Sequence, residues 1–153
     1  MPLPPCFLFQ GLSQPQLDRL SHVATVIEIR KGDWLAHEGR EADDFFELKN
    51  GAVESLTTVA GQVGLPIAIH RTTGDCFGSP SLLPPHVYSL SYRCLEDGSV
   101  YALSRKTLWE FFSEEPEMGF KVMTNLAQHL LGRLRETRQE IKTHFQSLFR
   151  STL

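Results

Sequence analysis

The residues that most often hold metals or act as nucleophiles are scattered along this sequence. The three cysteines, Cys6, Cys76 and Cys94, form no CxxC pair and no cysteine–histidine spacing of a zinc or iron–sulfur site. No two of the six histidines stand two residues apart, as a metal centre on one strand requires. A GxSxG elbow and a GxxxxGK[ST] phosphate loop are also missing. We therefore predict no enzyme, no metal site and no certain cofactor.

The overall composition indicates an ordinary globular protein. The chain has 153 residues, of which 41% are hydrophobic, and this predicts a single domain over 1–153. A formal charge of −3 gives no general attraction to nucleic acid or anionic lipid. The prolines near Met1, and the lack of an apolar run of about 20 residues, predict neither a signal peptide nor a membrane span. We expect a cytoplasmic protein without membrane contact, whose cysteines stay reduced.

Hydrophobic spacing divides the chain into three segments. Residues 7–26 have helical spacing, with Ser13 in position to cap a helix. Residues 27–103 consist of short alternating runs separated by glycine turns, a pattern typical of a β-roll. Residues 104–149 return to helical spacing, with Ser104 as a cap and Pro116 as an interruption. The sequence predicts a mainly β fold with flanking helices.

The last helical segment carries an apolar seam. Its members recur at intervals of three and four, and His144 breaks the pattern. They are Met123, Ala127, Leu130, Leu134, Thr137, Ile141 and Leu148. A helix of roughly 30 residues is about 45 Å long, which exceeds what a small roll can cover. Two arrangements stay open: pairing with a second copy as a homodimer, or folding back on the roll.

Four motifs that stand in a fixed order carry a family resemblance. They are Phe9-x-Gly-Leu-Ser-x-x-x-Leu-x-x-Leu; Lys31-Gly-Asp-x-Leu-x-x-x-Gly39 with Asp44-x-Phe46-x-Leu48-x-x-Gly51-x-Val53; Gly74-Asp-x-Phe-Gly78; and Glu96 to Ser104 followed by Pro116. Together they resemble the cyclic nucleotide-binding domain family, in particular the sensor half of cAMP receptor protein-like regulators. The resemblance implies a double-stranded β-helix, or jelly roll, with N-terminal helices, a long C-terminal helix and a regulatory, ligand-sensing role.

The resemblance also implies a phosphate-binding cassette at 74–90, and here the sequence departs from the family. The position of the family's ribose-binding glutamate holds Ser79, and that of its phosphate-binding arginine holds Tyr88. A charge-assisted contact with phosphate contributes about 1.5–3 kcal/mol, so its loss weakens binding by about tenfold to a few hundredfold. We therefore expect weak or no binding of cAMP or cGMP.

Other groups of the implied pocket remain able to bind a cyclic nucleotide or another small anionic or neutral ligand. The candidate ligand-binding residues are Phe77, Gly78, Ser79, Pro80, Ser81, Tyr88, Ser89 and Thr137. Strand alternation from Tyr88 places Arg93 on the opposite face, so we do not expect it to replace the missing arginine.

Three further functions are alternatives to the sensing of a small anionic or neutral ligand. Haem is one, with Cys76, His70 or His86 as axial ligand. A ligand-free dimerisation module is the second. Direct DNA binding is the third, and it is not expected, because the basic residues of the last helix alternate with Glu136 and Glu140 and the chain ends four residues after Phe149. The favoured hypothesis is that occupancy of the pocket shifts the C-terminal helix and so alters contact with a protein partner.

Overall fold

The computed structural model describes residues 3–152 as a mainly antiparallel sheet flanked by helices. The helices are α1 (Gln14–Val23), α2 (Arg105–Glu114) and α3 (Pro116–Ser151), with 3-10 turns at Phe7–Phe9 and Ser79–Leu82. The strands are β1 (Thr25–Ile29), β2 (Trp34–Ala36), β3 (Asp44–Val59), β4 (Gln62–His70), β5 (Cys76–Phe77) and β6 (Ser91–Ser104). The predicted fold class is confirmed: a jelly roll with N-terminal helices and a long C-terminal helix.

The helices begin where the sequence predicts. Ser13 and Gln16 form a reciprocal capping box at α1, in which the Ser13 N–H donates to Gln16 Oε1 over 2.9 Å. Ser104 Oγ accepts from the Thr107 N–H over 3.1 Å at the start of α2. Pro116 lies in the first turn of α3, where its missing N–H leaves no helical bond unmade.

The sheet is built around two long strands. β3 has 16 residues and β6 has 14, and they pair antiparallel in the order β1-β6-β3-β4, with β2 on β6 and β5 on β3. The sequence predicts separate short strands on either side of Gly51, but β3 runs through this position. Its register shifts around Asn50 and Ala52 instead, and Gly51 has φ +90°. A Cβ there would lie 2.7 Å from the Glu96 carbonyl oxygen, so the glycine makes a bulge rather than a turn.

The buried residues form two clusters on either side of the sheet. One lies under the helices and is built from Cys6, Leu8, Phe9, Leu20, Phe45, Leu82, Leu103, Leu108, Phe112, Met118, Val122 and Leu126. The other fills the roll and is built from Ile29, Ala36, Ala42, Phe46, Leu48, Val53, Phe77, Tyr88, Tyr92, Cys94, Val100 and Ala102. The long helix contributes to the first cluster alone, through residues that precede His129.

The long helix therefore has a packed part and an exposed part. Its buried residues are Met118, Gly119, Val122, Asn125 and Leu126. Beyond Gly132 every residue up to Thr152 is exposed, including Leu134 at 45% and Ile141 at 51%. In the single chain this end of α3 does not fold back on the roll. No helix within residues 3–152 is long and apolar enough to cross a membrane.

Candidate ligand-binding cavity

A cavity of about 800 Å³ opens between the roll, the segment from Thr72 to Pro80, and α3. Strand residues on its wall include Ser55, Ala68, His70 and Tyr92. The loop residues Leu83 to Pro85, Val87, Ser89 and Leu90 close one side, and Pro5 with Phe7 reach it from the N-terminal segment. The helix contributes His129, Leu130 and Arg133. The cavity thus joins the cassette to the point where α3 leaves the core.

Aromatic rings form the base of the cavity. Phe77 is 4% exposed, and its ring lies 5.1 Å from that of His70 and 4.8 Å from that of Tyr92, measured between centroids. Phe46 supports Phe77 from the roll interior at 5.4 Å. Such offset stacking fixes the ring positions before any ligand arrives. These packed rings give the cavity a largely apolar wall.

The segment after Phe77 is held by bonds within the protein. The Gly78 N–H donates to the Tyr92 hydroxyl over 3.3 Å, and Ser81 Oγ donates to the Gly78 carbonyl oxygen over 2.8 Å. The Ser81 N–H also donates to that oxygen, over 3.0 Å. The amides of Gly78 and Ser81 are thus bonded within the protein and are not free to hold an anionic ligand.

The structure brings five of the eight candidate residues together on the cavity wall: Phe77, Gly78, Ser79, Pro80 and Ser89. Ser81, Tyr88 and Thr137 are outside the lining. Ser81 is fully buried, and Thr137 Oγ1 donates to the Arg133 carbonyl oxygen over 3.0 Å on the exposed helix. Their role in ligand binding remains a prediction.

Tyr88 is used to hold the fold together. Its hydroxyl donates to the Asp44 carbonyl oxygen over 2.8 Å and accepts from the Asp44 N–H over 3.2 Å. Burial raises the pKa of this phenol to about 12, so it stays neutral. The residue at the family's arginine position therefore supplies no positive charge and instead anchors the loop to β3.

Arg133 was missed as a candidate, because its alternation with acidic neighbours is typical of a solvated helix face. Within residues 3–152 it is the one arginine on the cavity wall. Its charge also contributes to lowering the pKa of His70 and of His129, in each case after the larger effect of burial. Helical period could have found it, since Arg133 stands one turn before the candidate Thr137.

The three groups that the sequence offers for haem have other contacts in this structure. Cys76 forms a disulfide with Cys6, 70 residues away, so the expectation of reduced cysteines is wrong for this pair. Nδ1 of His86 lies 3.0 Å from the Ser81 carbonyl oxygen, and the His70 ring stacks on Phe77. Sequence spacing could not reveal the cysteine pair, because strand pairing and the N-terminal fold create it. Haem ligation receives no support from these contacts.

The family comparison agrees with this geometry. The cyclic nucleotide-binding domain family matches residues 26–115, which is more than half of the chain and covers α2 and all of the roll except Thr25. The chain belongs to this family. The cavity-lining residues from Ser55 to Tyr92 fall within the matched region. Those of the N-terminal segment and of α3 lie outside it.

Solved structures extend the similarity of this cyclic nucleotide-binding domain beyond the matched region. The catabolite activator protein of Thermus thermophilus is 27% identical with a TM-score of 0.75, and the match covers 89% of this chain and 62% of that one. The N-terminal domain of a Streptomyces coelicolor transcriptional regulator is 24% identical with a TM-score of 0.72, over 90% of this chain and 92% of that domain. A cyclic nucleotide-binding domain from Methylobacillus flagellatus is 23% identical with a TM-score of 0.75, over 87% and 74%. The last two show the fold alone.

Proposed function

We propose that this domain is a sensor that binds a small anionic ligand in the cavity and signals through α3 to a partner. The observation that carries the proposal is the position of Arg133, which lines the cavity on the helix itself. Because the two recognition charges of the family cassette are replaced by Ser79 and Tyr88, cAMP and cGMP bind weakly or not at all. A ligand that suits the site has one anionic group and a flat apolar part.

The charges of the lining support an anion. Among the described residues of the lining, Arg133 supplies a guanidinium and Asp75 the one carboxylate, which is turned to backbone donors. Asp75 Oδ2 accepts from the N–H of Thr72 over 3.0 Å and from that of Arg71 over 3.2 Å. An arginine forms two parallel hydrogen bonds with a phosphate or carboxylate, which makes it the natural contact for such a group.

The route of the signal follows from where the contact falls. Leu126 is the last buried residue of α3 and the exposed part begins at Arg133, so the ligand touches the helix at that boundary. A ligand that binds one orientation of the helix more tightly shifts the population toward it. Occupancy of the cavity thereby changes the surface that the end of the helix offers to a partner.

The partner that fits this surface best is a second copy of the chain. Leu130, Leu134, Ile141 and Leu148 recur along α3 and are between 41% and 51% exposed. Seams of this kind are buried in coiled coils by an equivalent helix. A homodimer through α3 follows, and a protein without ligand that still dimerises is the alternative function.

The test is calorimetric titration of the protein with cAMP, cGMP and inorganic phosphate, repeated with Arg133→Gln. Arg138→Gln is the matched control, because that arginine is exposed on the same helix outside the cavity. Loss of the guanidinium should weaken whichever anion binds by about tenfold to a few hundredfold. Equal affinities of the wild type and Arg133→Gln would contradict the proposal. No heat with any anion would favour the dimerisation module.

A further inference from the structure

A second group of functional side chains lies beside the cavity, and the proposed sensor role does not use it. Cys6 of the N-terminal segment, Glu47 of β3 and Cys76 of β5 place their side-chain donor atoms within 4.8 Å of one another. Strand register is the cause for two of them, because Glu47 and Cys76 are directly paired. Cys76 also lines the cavity, so this group is in contact with the ligand site.

Glu47 is the unusual member of the group. It is 0% exposed, and neither of its carboxylate oxygens has a hydrogen-bond partner within residues 3–152. Alternation along β3 puts it on the same face as Phe45, in the apolar cluster under the helices. Burial raises its pKa to about 8. A fully buried carboxyl without a partner is rare in native proteins and requires an explanation, such as an ion that the group holds.

We propose that Cys6, Glu47 and Cys76 form a Zn²⁺ site when the two cysteines are reduced. Thiolate sulfur and carboxylate oxygen are donors that zinc prefers, and three protein ligands with one open position is a common zinc arrangement. Cys76 lines the cavity, so the zinc site adjoins it. A bound zinc ion would explain why Glu47 is buried. It would bind the carboxylate oxygens, which have no hydrogen-bond partner within residues 3–152.

The spacing of the chain permits both the disulfide and the metal. The Cα atoms of Cys6 and Cys76 are 6.7 Å apart, close to the upper end, about 6.8 Å, of the range that disulfides span. Two sulfurs bound to one tetrahedral zinc at about 2.3 Å each lie about 3.8 Å apart. The two sulfur atoms can form a disulfide or bind zinc, but not both at once. The change between the two states needs the sulfur atoms to move and not the Cα atoms.

The conversion balances with a thiol as the reductant. Two molecules of a low-molecular-weight thiol reduce the Cys6–Cys76 bond, form their own disulfide and leave two protein thiols. Zn²⁺ then binds the two sulfurs as thiolates and Glu47 as a carboxylate, and the protons that these groups carry are released to water. Zinc binding is consequently weaker at acid pH. In the reverse exchange the low-molecular-weight disulfide oxidises the two cysteines, is itself reduced to two thiols, and the metal is released.

The experiment compares oxidised protein with protein reduced by a phosphine, each mixed with Zn²⁺, passed through a desalting column and assayed for bound metal. We expect about one zinc per reduced chain and none in the oxidised chain. Cys6→Ser, Cys76→Ser and Glu47→Gln should lose this zinc. Cys94→Ser should keep it, because Cys94 is a buried cysteine in the other cluster. Co²⁺ in place of zinc should show thiolate charge-transfer absorption in the reduced wild type.

Two results overturn the site. One is reduced wild-type protein that binds no zinc. The other is zinc that persists in the oxidised chain, in either cysteine variant or in Glu47→Gln, since the metal then lies at other residues. Circular dichroism establishes that each variant is folded. If a cysteine variant fails to fold, the oxidised and reduced wild type still decide the question, because they have the same sequence.

Discussion

The two parts of α3 have the same helical pattern and opposite surroundings. Residues Pro116 to Leu126 pack on α2 and on the turn Phe7–Phe9, whereas residues after Gly132 touch solvent. Asn125 illustrates the first part: its Nδ2 donates to the carbonyl oxygens of Leu8 and Gln10 over 2.9 and 2.8 Å. Of the described residues after Gly132, Arg133 lines the cavity and the others do not. The first part therefore stabilises the domain, and the second is exposed to solvent in the single chain.

The largest expected effect is on stability, from a truncation in the packed part. Leu126→Ala should lower the free energy of unfolding by about 2–5 kcal/mol. The Leu126 side chain is 2% exposed, so its truncation leaves a cavity in the core. Phe145→Ala, at a residue of the exposed part that is 55% exposed, should change it by no more than about 0.5 kcal/mol. Urea denaturation at low protein concentration measures both. Similar losses for the two variants would remove the distinction between the two parts.

The second prediction concerns association. Leu134→Glu places one charged side chain from each protomer in the proposed dimer seam. The dissociation constant of the dimer should therefore rise by at least about a hundredfold, equivalent to about 2.7 kcal/mol. The folded chain should keep its secondary structure, because Leu134 is 45% exposed. Sedimentation equilibrium of the wild type, Leu134→Glu and the exposed control Gln139→Glu measures this. A wild type that is monomeric at all concentrations would refute the homodimer.

The third prediction uses the two glycines of α3 as a matched pair. A Cβ on Gly119 would lie 2.9 Å from Phe112 Cβ, whereas one on Gly132 would meet nothing within 4 Å. Gly119→Ala should therefore destabilise the protein by about 1–3 kcal/mol through overpacking. Gly132→Ala should stabilise it by about 0.5–1 kcal/mol, because alanine favours a helix interior. Thermal unfolding of both variants tests this, and a shift of the same sign in both would contradict the assignment.

These pairs also explain how far the sequence could predict the structure. Glycine turns, alternation and the caps Ser13 and Ser104 are local, and local pattern was enough for the roll and its helices. The same seam pattern covers Met123, which packs on the core, and Leu134, which does not. Periodicity specifies an apolar face but not what covers it.

The candidate site was predictable only where the cassette is continuous in sequence. Phe77 to Pro80 line the cavity as one segment, but Arg133 reaches it from a helix more than 50 positions later. Glu47 was also missed, because a glutamate in a strand otherwise indicates an exposed face. Only the pairing of β3 with β5 and the position of Cys6 place that carboxyl among sulfurs. Contacts between distant segments depend on register, which the pattern of one strand does not specify.

The smallest expected effect tests the contact between the exposed part of α3 and the roll. The pKa of His70 lies below 6.5, mainly because the ring is buried. The charge of Asp75 raises this pKa, and the charge of Arg133 lowers it by the smallest of the three effects. Arg133→Gln should therefore raise this pKa slightly toward 6.5, and Arg138→Gln should leave it unchanged. NMR titration of the histidine ring protons measures the value. An unchanged pKa in Arg133→Gln would place the guanidinium away from the cavity.

The pKa of His70 also determines how the stability of the folded protein depends on pH. Because the pKa of His70 is lower in the folded state, the unfolded chain binds more protons as the pH falls below 6.5. The contribution of His70 to stability is thus complete above that pH and is lost as the pH falls through the folded pKa. His70→Gln should show a weaker decline in that window. A decline as steep as that of the wild type would assign the acid sensitivity to other groups and leave His70 with a packing role at the base of the cavity.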